Sequence, residues 1–222
     1  MKKVLKYTDF TLLRLIPTSF FLYYLYSYAL FALQKRSFFS LSFLRDLSLI
    51  MCFVFLGLAS VLRTFKGTEK FSIVSRYGAC TSALIYIVLY IFKEIEEVRL
   101  LQSLQYTPSF SDYYSLFTIQ STMYTIAFLL VIINCILKNK FFRTKWLLTV
   151  LCALSLLIAV FGSPLYTLIK YDDTITFRLL LSSFLISYCY CAVIITGLFP
   201  GKTEQNMAGS LVKEQVDYNG EK

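Results

Sequence analysis

The sequence predicts an all-α polytopic membrane protein, a bundle of six transmembrane helices with no soluble domain. Of its 222 residues, 57% are hydrophobic and only 16% are charged, whereas soluble domains average about 45–50% apolar and about 25% charged residues. The mean hydropathy is +0.64. The charged residues are concentrated in short segments between long apolar runs, which is the pattern of a chain that crosses a bilayer repeatedly.

Each apolar run, with its flanking residues, is long enough to cross the hydrocarbon core of a bilayer, which takes roughly 20 residues of helix. The runs lack the alternation of transmembrane strands, and only helices or closed barrels satisfy their backbone in lipid. The predicted spans are residues 13–34, 45–63, 76–95, 113–137, 146–169 and 178–200. They form one transmembrane domain, 1–201, and the polar segment 202–222 is expected to be a disordered cytoplasmic tail.

The first three spans have recognisable ends. The first has Arg14 at its start and contains Pro17, which lacks a backbone N–H and is expected to kink the helix. The second and third contain short uncharged runs, and the long stems of basic residues at their ends extend them toward the interface. These basic residues are Arg45, Arg63, Arg76 and Lys93.

The last three spans are long enough to cross with some tilt. Trp146 opens the fifth span, at the headgroup level that amphipathic rings favour. Pro164 is expected to kink the same span near its end.

Orientation follows from the lysine and arginine counts. The N-terminus, the loop after the second span and the loop after the fourth span each carry four such residues, and their alternation places them on one side. We therefore predict an integral protein of the cell (cytoplasmic) membrane with both termini cytoplasmic, and a eukaryotic endomembrane stays open. The first outer loop, with Lys35, Arg36 and Arg45, fits this orientation worst.

The catalytic inventory is small. The chain contains no histidine, and no P-loop, GxGxxG, HExxH or GxSxG pattern occurs. The six cysteines lie in apolar runs, where free cysteine packs as a small hydrophobe. We expect no metal site and no cofactor. The net charge of +9 is assigned to contacts with the lipid bilayer rather than with nucleic acid.

Two spans carry polar faces. Residues at helical offsets of three, four and seven share a face in the fourth span, and residues at steps of three and four lie together in the sixth. One interpretation is hydrogen bonding and close packing between helices; the other is a substrate-lining surface. The candidate residues are Thr118, Ser121, Thr122, Thr125, Ser183, Ser187 and Tyr190.

A cluster of acidic residues follows the third span in the stretch KEIEEVR, residues 93–99. Glu94, Glu96 and Glu97 are candidates for an extracytoplasmic contact. The i,i+3 and i,i+4 spacing to Lys93 and Arg99 also predicts internal charge pairs on a solvated helix end. The apolar edge of this stretch indicates a helix that leaves the bilayer and continues along the interface.

Two functions follow as alternatives. The first is a small transport-type or accessory membrane subunit, acting through helix packing with a membrane-protein partner or as a homo-oligomer. The second is a membrane-embedded lipid-processing enzyme with an interfacial site. The absence of histidine and of a catalytic motif favours the first.

Overall fold

The computed structural model is all-helical over the residues that it describes, which are 8–35, 40–65, 67–103, 116–137, 141–171 and 177–198. Its helices are α1 Ile16–Lys35, α2 Leu41–Leu62, α3 Glu69–Ser103, α4 Leu116–Ile136, α5 Phe142–Tyr171 and α6 Phe177–Leu198. Six helices of the described chain are long and apolar enough to cross a membrane, which confirms the number predicted. The predicted tail, 202–222, lies outside the described residues.

Helix α1 is preceded without a break by a π-helical turn, Thr11–Leu15. The N–H of Ile16 bonds to the carbonyl of Thr11, five residues back, and Pro17 follows directly. Proline supplies no N–H to an α-helical ladder, and the wider turn lies where that ladder would be interrupted. The irregularity expected around Pro17 is therefore present as a π turn. In α5, the helical backbone continues past Pro164 to Tyr171.

Helix α3 is longer than the span predicted for it. It runs unbroken for 35 residues from Glu69 to Ser103, which corresponds to about 52 Å at 1.5 Å per residue. The acidic stretch 93–99 continues the same helix without a break. No glycine or proline lies between residues 79 and 107, so the sequence offers no break in the helix.

Helix α2 is the central helix of the bundle and packs against α1, α3 and α6, while α5 packs against α4 and α6. Small residues allow two close approaches. A Cβ atom added to Gly57 would lie 2.7 Å from Oγ1 of Thr18 in α1, and one added to Gly197 in α6 would lie 2.8 Å from the carbonyl oxygen of Leu56. These glycines let α1 and α6 approach the backbone of α2 on two sides.

Arginine side chains gather at one end of the bundle, which we call the basic end. Each donates to a backbone carbonyl near the C-terminus of α2 or α6, where the orphan carbonyls and the helix dipole favour a cation. The bonds join Arg14 to Ser60 (2.8 Å), Arg63 to Gly197 (3.3 Å) and Arg76 to Leu198 (3.0 Å). The start of α1, the α2–α3 connection and the end of α6 therefore lie together.

The α4–α5 connection also lies at the basic end. Cys135 Sγ lies 3.9 Å from the carbonyl oxygen of Arg76. Asn134 is fully buried, and its amide donates to the carbonyl of Lys145 and to the hydroxyl of Thr149, both at 3.0 Å. These two bonds fasten the end of α4 to the start of α5. The described residues of all three segments predicted to share one side thus occur at one end of the bundle.

Candidate functional site

Two neighbouring cavities lie between the helices, with volumes of about 320 and 280 Å³, and both are partly open to the surface. Ligand pockets in proteins are about 300–1,000 Å³, so each is close to the size that admits a small metabolite. Both are lined by Tyr24, Gln120, Tyr124 and Tyr190. The two cavities are therefore adjoining compartments of one space, which we call the central cavity.

Residues from every helix line the central cavity. The first compartment adds apolar residues and one serine to the shared four, namely Phe20, Val160, Ile186 and Ser183. The second adds a charged pair, two further tyrosines, a serine and two aliphatic residues, namely Arg45, Asp46, Tyr28, Tyr86, Ser121, Leu49 and Ile50. The first compartment is thus the more apolar of the two, and the second contains the charged groups.

Packing behind the tyrosines holds their rings in place. The Tyr190 ring is 5% exposed and lies 4.4 Å from that of Phe53, edge to face, and 5.1 Å from that of Phe21. The Tyr124 ring lies 6.2 Å from that of Tyr190, and its hydroxyl hydrogen-bonds with Tyr190 and with Gln120. Aromatic pairs in these geometries favour a fixed ring orientation, so the phenol hydroxyls occupy defined positions in the wall.

The second compartment has the same construction. Tyr86 is 3% exposed, with its ring 4.5 Å from that of Phe128. The Tyr28 ring stacks on Phe43 at 5.3 Å and an interplanar angle of 3°. Its hydroxyl donates to Oδ2 of Asp46 at 3.3 Å. Tyr28 therefore carries a hydrogen bond from α1 to the charged pair in α2.

The charged pair consists of adjacent residues in the second turn of α2. Nε and Nη2 of Arg45 both lie close to Oδ1 of Asp46, at 2.9 and 2.8 Å. The side chains are 19% and 40% exposed, so the pair lies at the rim rather than in the depth of the bundle. The sequence assigns Arg45 to the end of a poorly fitting basic loop, but in the structure its charge is compensated inside a helix.

A layer of large apolar residues separates the central cavity from the basic end. Phe53 and Phe128, which pack on the cavity tyrosines, are 1% and 0% exposed. One turn farther along α2, α4 and α6 lie Leu56, Val131 and Ile194, each at most 1% exposed. Close-packed side chains of this size leave no aqueous path, so the cavity is closed toward the basic end.

The polar face predicted in α4 is divided between several roles. Ser121 lines the second compartment. Thr125 donates to the carbonyl of Ser121 within its own helix at 2.9 Å, and Thr122 hydrogen-bonds with Tyr90 of α3. Thr118 belongs to α4, but its side chain lies outside the described residues. Of the three described side chains, Ser121 is the one placed at the cavity wall.

The polar face predicted in α6 lies closer to the cavity. Ser183 lines the first compartment and Tyr190 lines both. Ser187, between them in sequence, is 3% exposed, and its hydroxyl has no hydrogen-bond partner among the residues that the structure describes. The structure therefore brings Ser121, Ser183 and Tyr190 to the same central space.

Most of the remaining lining is absent from the sequence-based candidates. Aromatic-rich stretches of the sequence contain Tyr24, Tyr28 and Tyr86. From sequence, such stretches are interpreted as surfaces that pack against lipid or other helices. A weak signal was available: acidic residues are rare in membrane helices, and Asp46 directly follows an arginine at the start of a predicted span.

The glutamates of the acidic cluster in α3 are not among the described residues that line this cavity. Glu97 pairs with Lys93 at 3.1 Å, as its i,i+4 spacing predicts, and Glu96 and Glu97 are exposed. Glu94 hydrogen-bonds with Tyr90 one turn earlier. Within the described ranges, no group of three or more histidine, cysteine, aspartate or glutamate side chains is arranged to hold a metal ion.

Comparison of the chain with known protein families, curated proteins and solved structures found no match.

Proposed function

We propose that this chain is an integral membrane protein of six spans that acts as a small transport-type or accessory membrane subunit and holds a small molecule in its central cavity. The observation that carries the proposal is the joining of two compartments through Tyr24, Gln120, Tyr124 and Tyr190 in the middle of a six-helix bundle. Sites for small molecules in helical bundles are typically built in this way, from side chains on facing helices.

Placement in a bilayer is supported by the outer surface of the bundle. Large apolar side chains are exposed along all six helices, among them Tyr23 at 70%, Val74 at 65% and Phe184 at 66%. Soluble monomers rarely expose contiguous apolar surface on this scale. Lipid, together with a membrane-protein partner or a second copy of the chain, would cover it.

Both termini are proposed to lie on the cytoplasmic side of the cell membrane, because the basic end collects the segments richest in lysine and arginine. A reporter protein fused after Gly67 is then expected in the cytoplasm, and one fused after Ser103 outside it. The reverse pattern would contradict the orientation, and a soluble, active fusion at both positions would contradict membrane insertion.

A transport-type protein and an accessory subunit differ in what they require of the closed layer around Phe53 and Phe128. A transport-type protein requires this layer to open toward the basic end during its cycle. An accessory subunit requires only that the cavity fill while the layer stays closed.

The experiment that tests the proposal fills the cavity. Ser183→Trp places an indole in the first compartment, whereas Ser182→Trp changes the neighbouring, exposed residue. A deletion strain is complemented with each variant and with the wild-type chain, and metabolites and lipids are profiled. We expect Ser183→Trp to reproduce the deletion profile and Ser182→Trp to resemble the wild type.

Equal amounts of both variants in the membrane, measured by immunoblot, make the comparison valid. Full complementation by Ser183→Trp at wild-type abundance would overturn the proposed use of the cavity. Purification in a mild detergent adds a test of the subunit role, for which we expect a co-purifying partner or an oligomer.

A further inference from the structure

The ligand class of the central cavity can be inferred from its lining, on the basis of the function proposed above. We infer that the cavity binds an electrically neutral ring compound rich in hydroxyl groups, the chemistry of a sugar or a cyclic polyol. The inference rests on three properties of the lining: its charge, its hydrogen-bonding groups and its aromatic walls.

The charge of the described lining favours a neutral ligand. Arg45 and Asp46 are the charged side chains that line the described cavity, and each satisfies the other at 2.8–2.9 Å. An ion that enters would have to break this pair or leave its own charge without a partner in the described lining, which is costly beside buried apolar side chains. A neutral ligand avoids this cost and leaves the Arg45–Asp46 pair intact.

The hydrogen-bonding groups match hydroxyls. The four shared wall residues carry three phenol hydroxyls and one amide, and Ser121 and Ser183 add two aliphatic hydroxyls. Each of these groups can donate and accept hydrogen bonds. A ligand hydroxyl also does both, so a polyol can exchange hydrogen bonds with such a wall in many pairings, including with the Tyr124, Tyr190 and Gln120 groups that already bond to one another.

The aromatic walls suit a compact ring. The ring of the shared wall residue Tyr24 is 44% exposed and stacks on that of Phe20 at 6.3 Å, and a sugar ring presents C–H groups that pack on aromatic surfaces. The compartment volumes, about 320 and 280 Å³, are at the small end of ligand sites. One ring, or two linked rings divided between the compartments, fits these dimensions.

The same chemistry has two sources. A free sugar or polyol is one, and the sugar headgroup of a glycolipid is the other. The shared wall residue Tyr24 is 44% exposed, so the outer surface of the bundle reaches the cavity wall directly. The experiment therefore includes both a free and an alkyl-linked form of the ring.

The test measures binding to the purified full-length chain in a zwitterionic detergent that carries no sugar. Three compounds share one ring and differ in charge: glucose is neutral, glucosamine is a cation and glucuronate is an anion. Galactose, mannose and inositol extend the neutral set, and octyl glucoside supplies the alkyl-linked form. Affinities are measured by calorimetry, with octyl glucoside kept below its micelle-forming concentration.

We expect at least one neutral compound to bind, and its amino or carboxylate analogue to bind more than about tenfold more weakly. Binding of free rings would identify a soluble ligand, and binding of the alkyl glycoside alone would identify a lipid headgroup. Failure of every neutral compound in both forms would overturn the inference, as would equal binding of the charged analogues.

Matched variants locate the binding. Tyr24→Phe removes a hydroxyl at the shared wall, and Tyr23→Phe removes one from the adjacent residue, which is 70% exposed and does not line the cavity. We expect about fivefold weaker binding for Tyr24→Phe and no change for Tyr23→Phe. Equal effects of the two variants would place the binding elsewhere.

The charge argument has its own test. Asp46→Asn leaves Arg45 uncompensated and should shift preference toward glucuronate, while Arg45→Gln should shift it toward glucosamine. Unchanged preference in both folded variants, verified by gel filtration, would contradict the electrostatic step.

The outcomes also separate this inference from the proposed function. If no neutral ring binds, yet Ser183→Trp fails to complement the deletion, the cavity is used for a different ligand class and only the inference fails. If Ser183→Trp complements fully, the proposed function itself fails.

Discussion

Arg76, in the second turn of α3, donates a hydrogen bond from Nη2 to the carbonyl oxygen of Leu198, the last residue of α6, at 3.0 Å. The bond joins residues 122 positions apart and satisfies a carbonyl that has no partner within its own helix. This bond joins α3 to α6 at the basic end, and the bond from Arg14 to Ser60 joins the turn that precedes α1 to α2. Basic residues on which the predicted orientation rests thus also hold the bundle together.

Replacement of Arg76 by methionine is expected to lower the free energy of unfolding by about 1–3 kcal/mol, because the Leu198 carbonyl loses its charged donor. Unfolding in mixed micelles with an increasing fraction of sodium dodecyl sulfate measures the change. Arg143→Met, at an exposed position of the same end, is the control. A loss of stability as large for Arg143→Met would show that general charge, not the bond, is responsible.

Gly197→Ala is expected to destabilise the bundle by about 1–3 kcal/mol, because the added methyl meets backbone that cannot rotate away. The new Cβ would lie 2.8 Å from the carbonyl oxygen of Leu56. At Gly78 the nearest atoms belong to the side chain of Phe55, at 3.1 Å, so Gly78→Ala should cost less. The midpoint of thermal unfolding in detergent compares the two, and a larger loss for Gly78→Ala would contradict the packing argument.

Asn134→Leu is expected to cost about 1–2 kcal/mol, because it removes the buried bonds that join α4 to Lys145 and Thr149 of α5. Thr149→Val removes the hydroxyl that both accepts from Asn134 and donates to Lys145. A double-mutant cycle of the two should therefore be non-additive. Thr144→Val, at an exposed position of α5, is the control. Strict additivity would mean that the two side chains act independently.

Replacement of Glu94, Glu96 and Glu97 together by alanine is expected to change the free energy of unfolding by less than about 1 kcal/mol, because exposed pairs such as Lys93–Glu97 contribute little. Glu69→Ala, at the other end of α3, is the control. The same triple variant tests function by complementation. Wild-type complementation would remove a mechanism based on these carboxylates, and its loss in a stable protein would establish that the function requires them.

The number of helices was predictable because hydropathy and length alone identify segments that can cross a bilayer. The residues at which the helices begin and end were less predictable. Arg45 and Asp46 mark the start of a span in sequence, but they lie inside α2 and pair with each other. At the other extreme, α3 continues to Ser103 because helix-forming charged residues extend it beyond its apolar run.

The cavity was predictable only in part. Side chains that face lipid and side chains that face other helices have similar hydropathy, so the rotation of each helix is not evident from composition. Ser183 and Tyr190 were found through their spacing in one helix. Tyr24 and Gln120 meet them only because helices distant in the chain pack together.

The length of α3 gives the molecule a mechanical property. Beyond its uncharged run, residues 77–92, the helix extends about 16 Å farther, from Phe92 to Ser103. The same unbroken rod carries Tyr86 in the wall of the second compartment, about 26 Å from its tip. A force on the end of α3 at Ser103 would be transmitted along the continuous helix to Tyr86 in the cavity wall.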